Sequence, residues 1–194
     1  MGVRQSTGWT QALTRRLLLW LPLSLLLWTL LTPAYNRFLI EATGNVVGLL
    51  ERPNATRLER LDRHYMLVSR MDGTAGGQLP RKVRVTDVHF HLVLLAGLFL
   101  AVPGVPLRRR LANLGTASLV AVIFHIVDLF FWVRFLYATQ LGAWSVANYG
   151  PIAQNFYGLG KHLLDLPVKL GLPLLLWGVY YFRELLPAPR RTTA

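Results

Sequence analysis

The segment from Leu114 to Tyr137, LGTASLVAVIFHIVDLFFWVRFLY, constrains the fold more than any other part of the sequence. It is apolar over more than the roughly 20 residues that a helix needs to cross a bilayer. Near its middle, His125 and Asp128 are three positions apart and therefore share one helix face. Because an ionisable side chain within a bilayer is costly unless it faces protein or water, we predict that this face turns toward other helices.

Composition extends this prediction to the whole chain. Hydrophobic residues make up 53% of the 194 residues and charged residues only 15%, against roughly 25% charged in soluble domains. We therefore predict a single all-α integral membrane domain: a four-transmembrane-helix bundle with a small extracytoplasmic β-hairpin and interfacial segments. The absence of cysteine excludes disulfides, thiolate metal ligands and a cysteine nucleophile.

The chain is strongly basic, with a formal net charge of +12. Its arginines flank apolar segments, so we interpret this charge as setting the topology and attracting anionic membrane lipids. No nucleic-acid-binding motif accompanies it, and we predict no nucleic-acid partner.

Four apolar segments are predicted to span the membrane: residues 17–33, 88–106, 114–137 and 166–182. The first follows a basic N-terminus, an arrangement that also fits a signal peptide. We favour an uncleaved span, because no small-x-small cleavage pattern is present. Trp20 and Trp28 are also suited to anchor a helix at membrane interfaces.

The segments between these spans predict the topology. Residues 34–87 form an extracytoplasmic region, in which an interfacial helix over 34–51 precedes a hairpin whose arms, HYMLVSRM and KVRVTDVHF, flank the glycine-rich DGTAGGQLPR. Residues 138–165 form a second external segment, either interfacial or re-entrant. Basic residues concentrate in the N-terminus, the Arg108–Arg110 turn and the C-terminal tail, which predicts a multi-pass protein of the plasma (inner) membrane with both termini cytoplasmic.

The His125/Asp128 pair is the sharpest candidate site. It could be a proton relay, a pair of metal ligands or a polar contact to a partner helix, with the carboxylate fixing the orientation of the imidazole. The alternative is a structural polar contact inside the bundle, since polar side chains commonly hydrogen-bond across membrane helices.

The remaining candidate polar residues lie near predicted span ends. His89 and His91 could join His64 and His162 in an external metal cluster, or they could be interface histidines without a ligand role. Their spacing fits no zinc motif, so we assign no metal and no cofactor. Arg134 is close enough to the membrane boundary to extend its guanidinium into water.

No nucleophile is accompanied by a placed base in the sequence, so catalytic residues are not assigned. We favour a protein that is not itself an enzyme.

The layout of the chain resembles one bacterial family. The features that carry the resemblance are the opening RRLLLWLPLSLLLW closing at Pro33, the stretch KVRVTDVHFHLVLLAGLFLAVP, and the final span KLGLPLLLWGVYYFREL. The family is the exosortase H-associated membrane proteins. The resemblance implies an inner-membrane protein that acts beside an exosortase, a multi-span enzyme that processes C-terminal sorting signals with chemistry associated with a Cys, an Arg and a His. This chain has no cysteine, so it should not be the sorting enzyme, and no catalytic residue carries over.

Two functions follow as expectations. The first is a non-catalytic accessory membrane protein that holds or positions a larger, exosortase-like membrane partner, with the hairpin and the His125/Asp128 face as contact surfaces. The alternative is a small intramembrane enzyme or proton-coupled carrier that uses His125 and Asp128. Absence of a convincing internal repeat counts against the carrier.

Overall fold

The computed structural model describes residues 3–51, 55–71 and 80–185, and the chain is mostly helical over these ranges. The turn of the predicted hairpin and the basic C-terminal tail lie outside them. A π-helical turn, Leu164–Val168, joins the last two helices. The elements in chain order are α1 (Val3–Leu50), β1 (Thr56–Arg60), β2 (Tyr65–Arg70), β3 (Arg81–Arg84), α2 (Thr86–His89), α3 (Leu92–Ala101), α4 (Leu107–Thr139), α5 (Ala143–Asn148), α6 (Pro151–Leu163) and α7 (Lys169–Leu185).

Among the described residues, three helical stretches are long and apolar enough to cross a membrane: Gly8–Leu50, Leu107–Thr139 and Pro151–Phe182. The long apolar helix predicted over 114–137 is confirmed as part of α4. The predicted span 88–106 corresponds to a shorter apolar stretch, Thr86–Ala101, which contains α2 and α3. Membrane crossing by four helices therefore stays a prediction.

Helix α1 does not end at Pro33 as predicted; it continues to Leu50, and the interfacial helix predicted over 34–51 is its second half. Proline lacks an N–H, so within a helix it leaves the carbonyl four residues earlier without its usual donor. Here that carbonyl belongs to Thr29, and the guanidinium of Arg63 donates to it at 2.7 Å. A side chain from the loop between β1 and β2 thus supplies the hydrogen bond that Pro33 cannot make.

Replacing Arg63 with leucine is expected to lower the free energy of unfolding by about 1–2 kcal/mol, because the Thr29 carbonyl loses its donor. In a Pro33→Ala background the backbone N–H is restored, so the same change at Arg63 should cost less than half as much. Denaturant unfolding of the four proteins of this double-mutant cycle in micelles measures the difference. Arg60→Leu, on the neighbouring strand, is the control; equal costs of Arg63→Leu in both backgrounds would contradict this account.

The predicted hairpin is confirmed for its two strands: β2 and β3 pair antiparallel, with Tyr65 opposite Arg84 and Val68 opposite Arg81. Strand β1 was not predicted. It pairs antiparallel with β2 and makes a three-stranded sheet of order β1-β2-β3. Its sequence, TRLER, is too rich in charge to show the β-branched alternation that indicates a strand.

Two apolar clusters hold the fold together, and α4 contributes to both. In the first, one face of the sheet packs on α1 and α4 through buried side chains that include Met66, Val83, Leu39 and Leu129. The second cluster joins α3, α4 and α7. The prediction that the fold is organised around the central apolar helix is therefore confirmed.

The last long helix begins earlier than predicted. The span predicted over 166–182 is continuous with α6, so the external segment predicted over 138–165 is made of α5 and α6 and leads directly into it. The π-helical turn accommodates Pro167 within this helix. Helix α6 lies close to α4 at Gly160, where a Cβ atom would overlap the ring of Phe131.

Candidate functional site

Three histidines meet between α1, α3 and α4. His89 ends α2, His91 immediately precedes α3, and His125 lies at the middle of α4. Their exposed fractions are 0%, 5% and 0%, and Asp128 is also at 0%. The prediction that the His125/Asp128 face turns inward is confirmed. His89 and His91 also point into the bundle, because the turn between α2 and α3 directs both inward.

His89 is held between two residues of α1. The indole Nε1 of Trp28, which can only donate, lies 3.0 Å from His89 Nδ1, so this nitrogen is the acceptor. The proton of a neutral His89 is therefore on Nε2, which donates to Asn36 Oδ1 at 2.6 Å. Both ring nitrogens are used, and the tautomer is fixed by its neighbours.

Asn36 extends this chain toward the sheet. Its Nδ2 donates to the carbonyl of Arg63 at 2.8 Å and to Thr86 Oγ1 at 3.1 Å. Thr86 then has its own proton free to donate to His64 Nδ1, 3.0 Å away. The chain from Trp28 to His64 thus runs in one direction with every donor matched to an acceptor. It fixes α1, the loop between β1 and β2, and the start of α2 against one another.

Asp62 shapes that loop. Its Oδ1 accepts the backbone N–H groups of His64 at 2.7 Å and Tyr65 at 2.9 Å. These two hydrogen bonds favour the carboxylate, the one from His64 most, and so they lower the pKa of Asp62. The loop is thereby held in the conformation that brings His64 to Thr86.

A second chain joins Tyr35, His125 and His91. The Tyr35 hydroxyl lies 2.7 Å from His125 Nδ1, and His125 Nε2 lies 3.1 Å from His91 Nε2. Only one of the two facing imidazole nitrogens can carry a proton in the neutral pair, so the chain can run in either direction. His91 Nδ1 is buried and has no hydrogen-bond partner among the described residues. Chemically, this chain can pass a proton between Tyr35 and His91.

Asp128 does not orient His125, contrary to the prediction, because both nitrogens of His125 are engaged by Tyr35 and His91. Within the described ranges, neither carboxylate oxygen of Asp128 has a hydrogen-bond partner. The carboxyl instead lies within electrostatic range of charged groups on α6 and α7, including Lys169. A buried carboxyl without hydrogen bonds is energetically unfavourable, so the burial of Asp128 costs free energy that no hydrogen bond in the described part of the chain offsets.

The charges that face Asp128 form a group of their own. Asp165, in the π-helical turn, pairs with Lys161 at 3.2 Å and with Lys169. Both lysines are 8% exposed, and Lys161 Nζ lies 3.9 Å from the centre of the Trp132 ring. We did not predict this group. Its signal in the sequence is the spacing of four residues on either side of Asp165 within an apolar stretch.

The other predicted polar residues lie apart from the histidines. His162 is exposed and contacts the ring of Phe135 with centroids 5.8 Å apart. Arg134 Cζ lies 5.4 Å from the centre of the Phe130 ring. His64 reaches the cluster only through Thr86, so the four histidines do not form the external metal cluster considered above. In the described part of the chain, no group of three His, Asp or Glu side chains is arranged to hold a metal ion.

An apolar groove of about 390 Å³ leads to the cluster. It lies between α1, α3 and α4, and the side chains of Trp28, Tyr35 and His89 line one end of it. Of the residues that surround the cluster, Tyr35 and Asn36 were not predicted. The available signal was the polar pair Tyr35 and Asn36, which interrupts an otherwise apolar helix.

No family model matches this chain, and no curated protein or solved structure is significantly similar to it.

Proposed function

We propose that this chain is a non-catalytic accessory membrane protein that holds or positions a larger membrane protein, in an exosortase-type protein-sorting system of the bacterial inner membrane. The observation that carries the proposal is the hydrogen-bonded chain from Trp28 through Asn36 to His64. Fully satisfied buried polar networks make a structure rigid and specific. This one fixes the small sheet to α1 at Asn36 and to the start of α2, and a rigidly held sheet suits a protein that positions a partner.

The positions of charged residues support a bilayer location for the helices. The exposed residues Asp62 and Arg63 lie beside the part of α1 that contains Thr29 and Asn36. Arg16 lies 20 positions before Asn36, a rise of about 30 Å along a helix, which is the thickness of a bilayer's hydrocarbon core. With the basic end of α1 in the cytoplasm, the sheet is extracytoplasmic and the histidines lie near the outer boundary.

Of the two contact surfaces expected from the sequence, we keep the hairpin and replace the His125/Asp128 face. His125 and Asp128 are fully buried, so they cannot touch a partner without rearrangement. The outer part of the sheet is available instead, with Lys82 and Arg84 exposed. We assign the partner contact to this sheet.

Site-specific cross-linking in the native host tests the proposal. The chain has no cysteine, so Lys82→Cys introduces a single thiol on the sheet, to which a photoactivatable cross-linker can be attached. We expect this protein to capture a larger multi-span membrane protein, identified by mass spectrometry. Leu119→Cys, at a 66% exposed position on α4, is the control and should capture none. A single uncross-linked species from both proteins, together with a mild-detergent pull-down that yields this chain alone, would show the proposal to be wrong.

A second candidate function is favoured by a specific observation. Asp128 and His91 Nδ1 are buried without hydrogen-bond partners among the described residues, next to the reversible chain from His91 to Tyr35. Such unsatisfied groups in a native structure call for an explanation, and catalysis is one. The candidate is proton handling by an intramembrane enzyme or carrier, and the stability of an Asp128 variant, described below, bears on it.

A further inference from the structure

One edge of the sheet is open. Strand β1 pairs with β2 on one side, and no strand in the described part of the chain pairs with it on the other. Two hydrogen bonds just outside β1 fix which of its residues face β2: Met71 N donates to Ala55 O at 2.8 Å, and Leu61 N donates to Tyr65 O at 3.0 Å. In an antiparallel pair, alternate residues exchange these bonds. The odd-numbered residues of β1 therefore face β2, and the even-numbered ones direct their backbone groups outward.

The outward residues are Thr56, Leu58 and Arg60. The backbone N–H of Thr56 donates to Glu51 Oε2 at 2.9 Å, which agrees with this direction and closes that end of the edge. At Leu58 and Arg60, both the N–H and the C=O point away from β2. Unpaired backbone groups of this kind are the template on which another strand can form.

A crevice of about 320 Å³ lies next to this edge, between β1 and α1. Ile40 and Leu58 provide its apolar surface, and Arg37, Glu41 and Arg60 provide its charge. Alternate side chains of an added strand would point to the same side as Leu58 and Arg60, and so into the crevice. Backbone pairing and a place for side chains are the two features that strand addition uses for affinity and specificity.

The charge of the crevice indicates the chemistry of the occupant. Arg37 is paired with Glu41 at 2.9 Å, whereas Arg60 has no ion-pair partner among the described residues. The crevice therefore carries one positive charge that is not neutralised. An extended segment with carboxylate side chains complements it.

We propose that β1 is the docking edge for an extended acidic segment of a partner polypeptide, which adds to the sheet as a fourth strand and places side chains in the crevice between β1 and α1. The proposal rests on the accessory function above and names the kind of contact it uses.

Peptide binding to the full-length protein in nanodiscs tests it. The probe is a fluorescein-labelled hexapeptide of alternating valine and glutamate, and its lysine counterpart is the control peptide. We expect saturable binding of the acidic peptide by fluorescence anisotropy, and at least tenfold weaker binding of the basic one. Because the N–H of Arg60 lies outside the β1–β2 pairing, Arg60→Pro removes that donor and the guanidinium while leaving the sheet's own hydrogen bonds in place.

Two variants of Arg60 separate the contribution of its backbone N–H from that of its guanidinium. Arg60→Pro should weaken binding at least tenfold, and Arg60→Ala, which keeps the N–H, about fivefold. Arg57→Ala removes an exposed arginine from the opposite face of β1 and should change binding less than twofold. Arg60→Glu should reverse the preference between the two peptides. Absence of acidic-peptide binding to the unchanged protein, or equal binding by Arg60→Pro, would overturn the proposal.

Cross-linking distinguishes failure of the docking-edge proposal from failure of the accessory function. If Lys82→Cys still captures a membrane partner when Arg60→Pro is added, the accessory function stands and the docking edge is wrong. If capture is lost with Arg60→Pro and kept with Arg57→Ala, the edge is the contact.

Discussion

Replacing Asn36 with leucine is expected to lower the free energy of unfolding by about 3–5 kcal/mol. The two side chains are similar in size, so the loss comes from hydrogen bonds. Three groups would lose the bond to Asn36: the buried His89 Nε2 and Thr86 Oγ1, and the part-buried carbonyl of Arg63. Each unsatisfied group costs about 1–3 kcal/mol, and repacking recovers part of the sum.

Denaturant unfolding in micelles, followed by tryptophan fluorescence, measures this change, and Trp28 lies next to His89 as a local reporter. Asn45→Leu is the matched control, because Asn45 is exposed on the same helix. We expect it to change stability by less than about 0.5 kcal/mol. A loss below about 1 kcal/mol for Asn36→Leu would mean that the chain from Trp28 to His64 does not hold the sheet to α1.

Replacing Asp128 with leucine is expected to have the opposite effect and to raise the free energy of unfolding by about 1–3 kcal/mol. Its carboxylate is fully buried and has no hydrogen-bond partner among the described residues. The free energy of desolvating it therefore destabilises the native state, because no hydrogen bond offsets it. An apolar side chain of similar size removes that penalty.

Asp165→Leu is the matched control and should destabilise the protein by about 3–5 kcal/mol, because it leaves the buried Lys161 and Lys169 without their shared partner. A destabilised Asp128→Leu protein would show that the carboxylate is held by Lys169 or another group. A protein that is stabilised but loses its biological activity would favour the proton-handling function, since functional groups are often kept at the expense of stability. A stabilised protein with full activity would leave Asp128 without a functional role.

The sequence carried the information for α4 and for the β2–β3 hairpin, because both depend on local periodicity. Two ionisable residues on one face of an apolar helix can only face inward, and His125 and Asp128 do. The arms around the glycine-rich turn likewise show their pairing in a short stretch of chain.

The continuity of α1 through Pro33 could not be predicted, because the group that replaces the missing N–H is Arg63, which is distant in sequence. The burial of His89 and His91 depends on a turn between two short helices, which no helical or strand period describes. The roles of Asn36 and Tyr35 depend on contacts across the bundle. In each case the feature depends on a tertiary contact, and the local sequence pattern carries no information about that contact.

The hydrogen bond from Arg63 to Thr29 also sets an order of events during synthesis. When α1 leaves the ribosome, the backbone acceptor at Thr29 is open, and its donor follows about 30 residues after Pro33, a delay of about 2–6 seconds at ordinary translation rates. We expect the nascent helix to form as two segments that meet at Pro33. The carbonyl of Thr29 gains its donor only when Arg63 arrives, so this hydrogen bond reports that the loop between β1 and β2 has reached its place against α1.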